Sequence, residues 1–188
     1  MKARGLFNDT AIIVTAKHGQ SPIDVKTRVA LDDGPYGNTP GIDFYQTDDL
    51  ALIWLKKGTR FQNYGAAKAY LESQMGPLGI NRILDNWDLA NLYRDPFKDN
   101  RTPDFIAISN PGVIYTGGTK LAEHGGFAHN DRNVALLVSN VSITAAVDNS
   151  DVETRQVAPT ILQILGLSPT ELQAVGIEGT TVLPSLRF

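Results

Sequence analysis

The side chains best suited to chemistry are three histidines, His18, His124 and His129, the only ones in a chain of 188 residues. They fall in two segments, TAIIVTAKHGQSPID from Thr10 to Asp24 and LAEHGGFAHNDRNVALLVS from Leu121 to Ser139. Imidazole is the commonest nitrogen ligand for zinc and similar ions, and a loop that follows a strand holds it rigidly. His18 and His124 are each followed at once by glycine, Gly19 or Gly125-Gly126, which permits close backbone approach or a positive φ. More than a hundred residues separate the two histidines, so they meet only through the fold. A histidine-glycine dipeptide taken alone also fits a loop histidine held by one hydrogen bond, and both readings stand at this level.

Other polar groups divide the same way. Lys17, beside His18, is either a functional cation or a lysine leaving a strand end. His129, Asn130 and Asp131 fit a solvated polar turn better than a substrate contact. The acid pairs Asp32-Asp33 and Asp48-Asp49 could assist a metal, yet adjacent acids in loops are commonly just solvated. The absence of cysteine excludes disulfides, thiolate zinc sites and a thiol nucleophile. No glycine-rich phosphate loop, GxSxG elbow or HExxH helix is present, which argues against nucleoside triphosphatase, serine esterase and zincin chemistry.

The elements that must position these groups follow from patterning. Hydrophobic residues at 42% and charged residues at 20% are ordinary for a globular chain. The net charge of -3, with Lys and Arg scattered, offers no basic stripe for nucleic acid. No apolar run approaches the ~18 residues of a membrane span. Ala11 to Ala16, AIIVTA, is a β-branched run of the kind covered on both faces in a parallel sheet, and polar residues at its carboxyl end sit where open α/β sheets bind ligands. Further strands are expected at Asp49 to Leu55, Asp104 to Ser109, Gly112 to Tyr115 and Val134 to Val138. The third and fourth of these five should pair around Asn110-Pro111, and the last should be central. Helices are expected over Asn63 to Met75, with Asn63 as N-cap and Gly76-Pro77 as stop, over Gln156 to Leu165, closed by Gly166, and over Thr170 to Val175. Asn81 to Tyr93 fits either a helix or a strand and turn. Residues 1–188 read as a single α/β domain.

Taken together, three segments in order resemble the C-terminal part of the alkaline phosphatase superfamily, in its type I phosphodiesterase/nucleotide pyrophosphatase branch. TAIIVTAKHGQSP resembles the strand running into the Asp-His-Gly metal motif. AEHGGFAHNDRNVALLV resembles the later histidine-glycine loop, and TRQVAPTILQILGLSP with EGTTVLP resembles the terminal helix and tail. The resemblance implies an alkaline-phosphatase-like three-layer α/β/α sandwich, here its C-terminal part with an incomplete mostly parallel sheet. It implies hydrolysis of small phosphate esters, diesters above all, with His18 and His124 as ligands to different divalent metals of a two-metal site, zinc being the ion expected. Sulfatase-like or phosphonate hydrolysis, and an inactive fragment or binding module, are the alternatives. Relatives that act outside the cytoplasm favour an extracellular or periplasmic setting.

Two departures matter. The implied nucleophile and several aspartate and histidine ligands belong upstream of the first motif, so the chain is expected to supply only part of an active site and to self-associate or pair with an upstream half. Thr10, Thr15 and Thr116 do not lie in the nucleophile's context. The motif's aspartate position holds Lys17, a change of two charge units. Lys17 is therefore the expected catalytic residue, its ammonium replacing one metal's charge on the substrate oxyanion.

Overall fold

Apolar β-branched runs become strands along most of the chain in the computed structural model, which describes residues 1–26, 28–115 and 120–186. The strands are β1 (Ile12–Val14), β2 (Ser21–Pro22), β3 (Val29–Ala30), β4 (Ile42–Thr47), β5 (Leu50–Leu55), β6 (Ile80–Leu84), β7 (Phe105–Ser109), β8 (Val113–Ile114), β9 (Ala122–Glu123) and β10 (Leu137–Ser139). The α-helices are α1 (Arg60–Ser73), α2 (Asn86–Leu92), α3 (His129–Arg132), α4 (Val157–Ile164) and α5 (Gln173–Glu178). They form two compact units, His18–Asn133 and Met1–Lys17 with Val134–Phe188. Thr116, Arg187 and Phe188 lie outside the described residues. No helix among the described residues is long and apolar enough to cross a membrane.

The unit His18–Asn133 is built on a four-stranded antiparallel sheet in the order β4-β5-β7-β6. Side chains alternate across a strand, and both faces here are apolar. Ala51, Ile53, Leu55, Phe105 and Ala107 point to one face, where Ala67 and Leu71 of α1 and the buried Tyr36 and Tyr115 complete the core. Leu50, Leu84 and Ile106 point to the other, where Leu89 of α2 and Phe127 cover them. Phe127 belongs to the HGGF loop, so the segment carrying His124 is anchored in a core. Two short ladders flank the sheet. β3 and β8 pair in parallel, and β2 and β9 pair antiparallel.

Among the described residues of this unit, one ion pair has both side chains buried. Arg60 Nε lies 2.9 Å from Asp104 Oδ1, with side chains 5% and 0% exposed. Asp104 Oδ2 accepts from the Leu55 amide at 2.8 Å, and Arg60 Nη1 donates to the Pro96 carbonyl at 2.5 Å. The pair thereby ties the start of α1 to β5 and to the strand entering β7.

In the other unit β1 pairs with β10 antiparallel, Ile13 opposite Val138. Helix α4 ends at Gly166 with φ 71°, and a Glu153/Gln156 capping box opens the turn before it. The buried Thr160 hydroxyl donates to the Gln156 carbonyl and accepts from the Leu183 amide at 2.8 Å. That hydroxyl fastens the tail to the helix.

The α/β class stands, with strand orientation only partly parallel: among the described residues β3-β8 is the parallel pair, and the expected mostly parallel sheet is replaced by antiparallel ladders. β-branched composition encodes extension but not direction. Within its unit β1 is not sandwiched, since Val14 is 53% exposed, and among the described residues β10 has only β1 as neighbour, with Leu137 62% exposed. Strands β7 and β8 do not pair with each other, because β7 enters the four-stranded sheet while β8 turns to β3. Asn63 is not an N-cap. Helix α1 begins three residues earlier, and the Asn63 amide donates to the Thr59 carbonyl. The ambiguous stretch resolves as β6 followed by α2, with the Asp85 carboxylate capping α2 through the Trp87 amide.

Replacing Asp104 by Ala leaves the Arg60 guanidinium buried without its partner. A loss of about 3–5 kcal/mol is expected from such a change, measured as the shift in urea-unfolding free energy of the 188-residue chain. The smaller loss typical of exposed ion pairs would show that the pair has access to solvent.

Candidate metal centre

The two histidine segments are drawn together by main-chain pairing. Ser21 and Pro22 of β2 stand opposite Glu123 and Ala122 of β9, and the Ile23 amide donates to the Leu121 carbonyl at 2.8 Å. The contact continues where the Gly19 amide donates to the Asp131 carbonyl at 2.8 Å. A β-carbon at position 19 would fall 1.8 Å from the Asn130 carbonyl oxygen, so the residue after His18 has to be glycine. With the backbones this close, the His18 and His124 rings stack, centroids 4.1 Å apart and planes inclined by 27°.

The His18 ring has a defined orientation. Its Nδ1 lies 2.8 Å from the Gly19 carbonyl oxygen, which only accepts, so Nδ1 carries the proton. In the neutral ring this leaves the Nε2 lone pair for a metal.

The β4–β5 turn supplies the acids. It is held by the Tyr115 amide donating to the Asp48 carbonyl at 3.0 Å and the Ser109 hydroxyl donating to the Asp49 carbonyl at 2.5 Å. Asp48 Oδ2 lies 4.0 Å from His124 Nδ1, and Asp48 Oδ1 lies 3.7 Å from Lys120 Nζ. Glu123, 3% exposed, accepts from the same ammonium with both oxygens, at 2.7 and 2.9 Å. One donor atom each from Asp48, Glu123 and His124 lie within 4.8 Å of one another.

Two carboxylates and an imidazole are a donor set of the type and number that catalytic zinc uses. Asp48 Oδ1 is buried with no hydrogen-bond partner among the described residues. Burial, then the neighbouring Glu123, pushes the Asp48 carboxyl up to about 6. The group is thus short of positive charge, and the Lys120 ammonium already stands beside it as a monovalent stand-in. These residues fit a divalent cation.

A second pair of acids lies next to this group. Asp131, 4% exposed, accepts from the Ser21 hydroxyl at 2.8 Å through Oδ1. Burial, and after it the adjacent Asp131 charge, pushes the Asp49 carboxyl up to about 7.

Of the residues singled out from sequence, the structure brings His18 and His124 together with Asp48. It places His129 on the exposed start of α3, where Nε2 accepts from the Asn133 amide at 3.1 Å. Asp32 and Asp33 serve turns, accepting from the Gly34 amide and the Thr47 hydroxyl. Lys17 is exposed and is the last residue of the segment Met1–Lys17, which belongs to the unit completed by Val134–Phe188. Asp131 does not belong to a solvated turn, since it is buried against Ser21. Glu123 and Lys120 were not marked by any motif. For Glu123 the signal is positional, because a strand residue immediately before a histidine shares its immediate surroundings.

A carboxyl whose pKa is raised on folding binds protons more tightly in the native state, so stability falls as pH rises through the interval between the two values. For Asp49 that interval runs from the ordinary 3.8 to about 7. With chelator present, Asp49→Asn is expected to gain stability relative to the parent as pH rises from about 4 to 7. Urea unfolding at several pH values measures this, and a pH-independent difference would show that Asp49 does not carry the effect.

The model of one protein family, type I phosphodiesterase / nucleotide pyrophosphatase, matches residues 1–132. No curated protein matches the chain. Among solved structures, human ectonucleotide pyrophosphatase/phosphodiesterase 5 is similar at 16% identity and a TM-score of 0.63, covering 89% of this chain and 43% of its own. The murine protein, solved as an inactive variant in complex with AMP, is similar at 13% identity and a TM-score of 0.59, covering 89% and 44%. The chain therefore spans less than half the length of these relatives. At such identities the likeness carries the fold alone, and that fold is alkaline-phosphatase-like. By the family match over most of its length, the chain belongs to the type I phosphodiesterase/nucleotide pyrophosphatase family.

Proposed function

We propose that the chain supplies part of the active site of a metal-dependent hydrolase that cleaves phosphodiester or pyrophosphate bonds in nucleotides. The observation that carries this reading is the stacking of His18 on His124 beside Asp48 and Glu123. The AMP complex of the murine relative supports a nucleotide over other phosphate esters. Residues 1–188 are taken as one catalytic α/β domain of that enzyme.

Zinc is the ion this reading assigns, through the ring nitrogens of His18 and His124 with Asp48 and Glu123 as the oxygen donors. When bound, such an ion polarises a phosphoryl oxygen as a Lewis acid. The chain's own groups do the rest. The hydrogen bond from His18 Nδ1 fixes the ring so that Nε2 faces outward from the Gly19 carbonyl. Asp48 and Glu123 balance positive charge and, in its absence, are balanced by Lys120. Lys17 is assigned to the negative charge that develops on a non-bridging phosphoryl oxygen. An ammonium about 4 Å from a second, divalent cation would cost about 8 kcal/mol at an effective dielectric of 20, so Lys17 and a second divalent ion exclude each other. Thr10 and Thr15 are assigned no role as nucleophile.

The test compares nitrophenyl phosphodiester, phosphomonoester and sulfate, offered to the 188-residue chain and to the longest natural polypeptide that contains it. The diester is expected to turn over fastest, with a loss of about 100-fold or more in His18→Ala or His124→Ala. Preference for the sulfate would reassign the site to a sulfatase-like enzyme, and turnover of none would leave a binding module. Metal counting addresses Lys17 separately. One tightly held zinc per chain is expected, rising to two in Lys17→Asp; two with Lys17 intact would overturn its assignment.

A further inference from the structure

The second pair of acids has a cavity of its own. A space of about 210 Å³ opens beside the HGGF loop, with Ser21, Asp49, Glu123, Gly126 and Asp131 in its wall. His18, His124 and Asp48 do not line it. The neighbouring acids of the β4–β5 turn part company here: Asp48 reaches Lys120 and His124, while Asp49 reaches Gly126 and Asp131.

Asp49 Oδ1 and Asp131 Oδ2 are both buried and have no hydrogen-bond partner among the described residues, and Asp131 as a residue is 96% buried, being 4% exposed. A buried carboxylate oxygen left bare is costly, and two of them side by side repel. The Ser21 hydroxyl satisfies only Asp131 Oδ1. Gly126 makes the convergence sterically feasible. A β-carbon there would come 2.6 Å from Asp131 Oδ2 and 2.8 Å from Asp49 Oδ2, so any larger residue would force the carboxylates apart.

We infer that Asp49 and Asp131 form a second cation site, for Mg²⁺, separate from the centre at His18 and His124. The donor set contains oxygen alone, which suits a hard cation and disfavours zinc. Two carboxylates cancel the charge of a divalent ion. The donors are too few for the 6–8 oxygens of calcium, whereas Mg²⁺ binds through one or two carboxylates and keeps several waters. At roughly 30 Å³ per water, the cavity has room for the ion and its retained shell. Binding there would clamp the β4–β5 turn to the loop that carries His124, making Asp49 and Asp131 positioning residues for that histidine. The inference does not require the hydrolase reading, because it concerns binding alone.

Mn²⁺ is the probe, followed by electron paramagnetic resonance on the 188-residue chain, with Mg²⁺ as competitor and zinc present to fill nitrogen sites. The parent is expected to take up one Mn²⁺, displaced by Mg²⁺. Asp49→Asn and Asp131→Asn should each weaken uptake at least about tenfold, while His18→Ala and His124→Ala retain it. Mg²⁺ should also raise the Tm of the parent but not of Asp49→Asn, a readout that stands even if the Asp131 variant fails to fold. No uptake by the parent at about 1 mM Mn²⁺, uptake unchanged in Asp49→Asn, or uptake abolished in His124→Ala would each overturn the site. In those outcomes the two acids share a proton, and the centre at His18 and His124 is unaffected.

Discussion

The contact between Gly19 and the Asn130-Asp131 backbone is the constraint on which the candidate centre depends. It is a steric fact before it is a chemical one: the two main chains approach so closely that no side chain fits between them. The amide-to-carbonyl bond from Gly19 to Asp131, together with the two-residue ladder of β2 and β9, converts that approach into a fixed register. A ladder of two residues would be weak on its own. It holds because β9 runs directly into a loop whose Phe127 is packed against Leu50, Leu84 and Leu89, so apolar burial stabilises what main-chain hydrogen bonding alone would not.

From that register the electrostatics follow. Asp48, Asp49, Glu123 and Asp131 are gathered within one small region and partly withdrawn from water. Lys120 is the cation that touches Glu123 and approaches Asp48. Burial and mutual repulsion raise the carboxyls of Asp48 and Asp49 well above the usual range. A site of this kind stores unfavourable charge in the apo protein and releases it when a cation arrives. It therefore links cation binding to the stability of the fold that built it.

How much of this was legible in the residues depends on the range of the interaction concerned. Strands β5 and β7, helix α1 and the α4-Gly166 stop follow from local patterning, because burial of alternate or helically spaced apolar residues is a local property. The meeting of His18 and His124 was legible as two like motifs and a family resemblance. Strand direction was not, since AIIVTA and VALLV specify extension without partner or orientation, and β1 and β10 turned out antiparallel. Nor was the burial of Asp131 or the share of Glu123 in the centre. Both depend on a tertiary approach that glycine permits but does not announce. Asn63 failed as a cap for a simpler reason: Thr59 takes the N-cap position and Arg60 already has helical geometry, so helix α1 starts three residues earlier.

Phe127 has a consequence for motion. Loops that carry ligands are commonly the parts of a protein that open alone, at small free-energy cost. The loop bearing His124 places its aromatic ring within the apolar cluster on one face of the four-stranded sheet. Swinging that loop out would strip Leu50, Leu84 and Leu89 of cover, a cost that the opening of a solvated loop does not carry. The position of the histidine is thereby tied to the packing of the sheet.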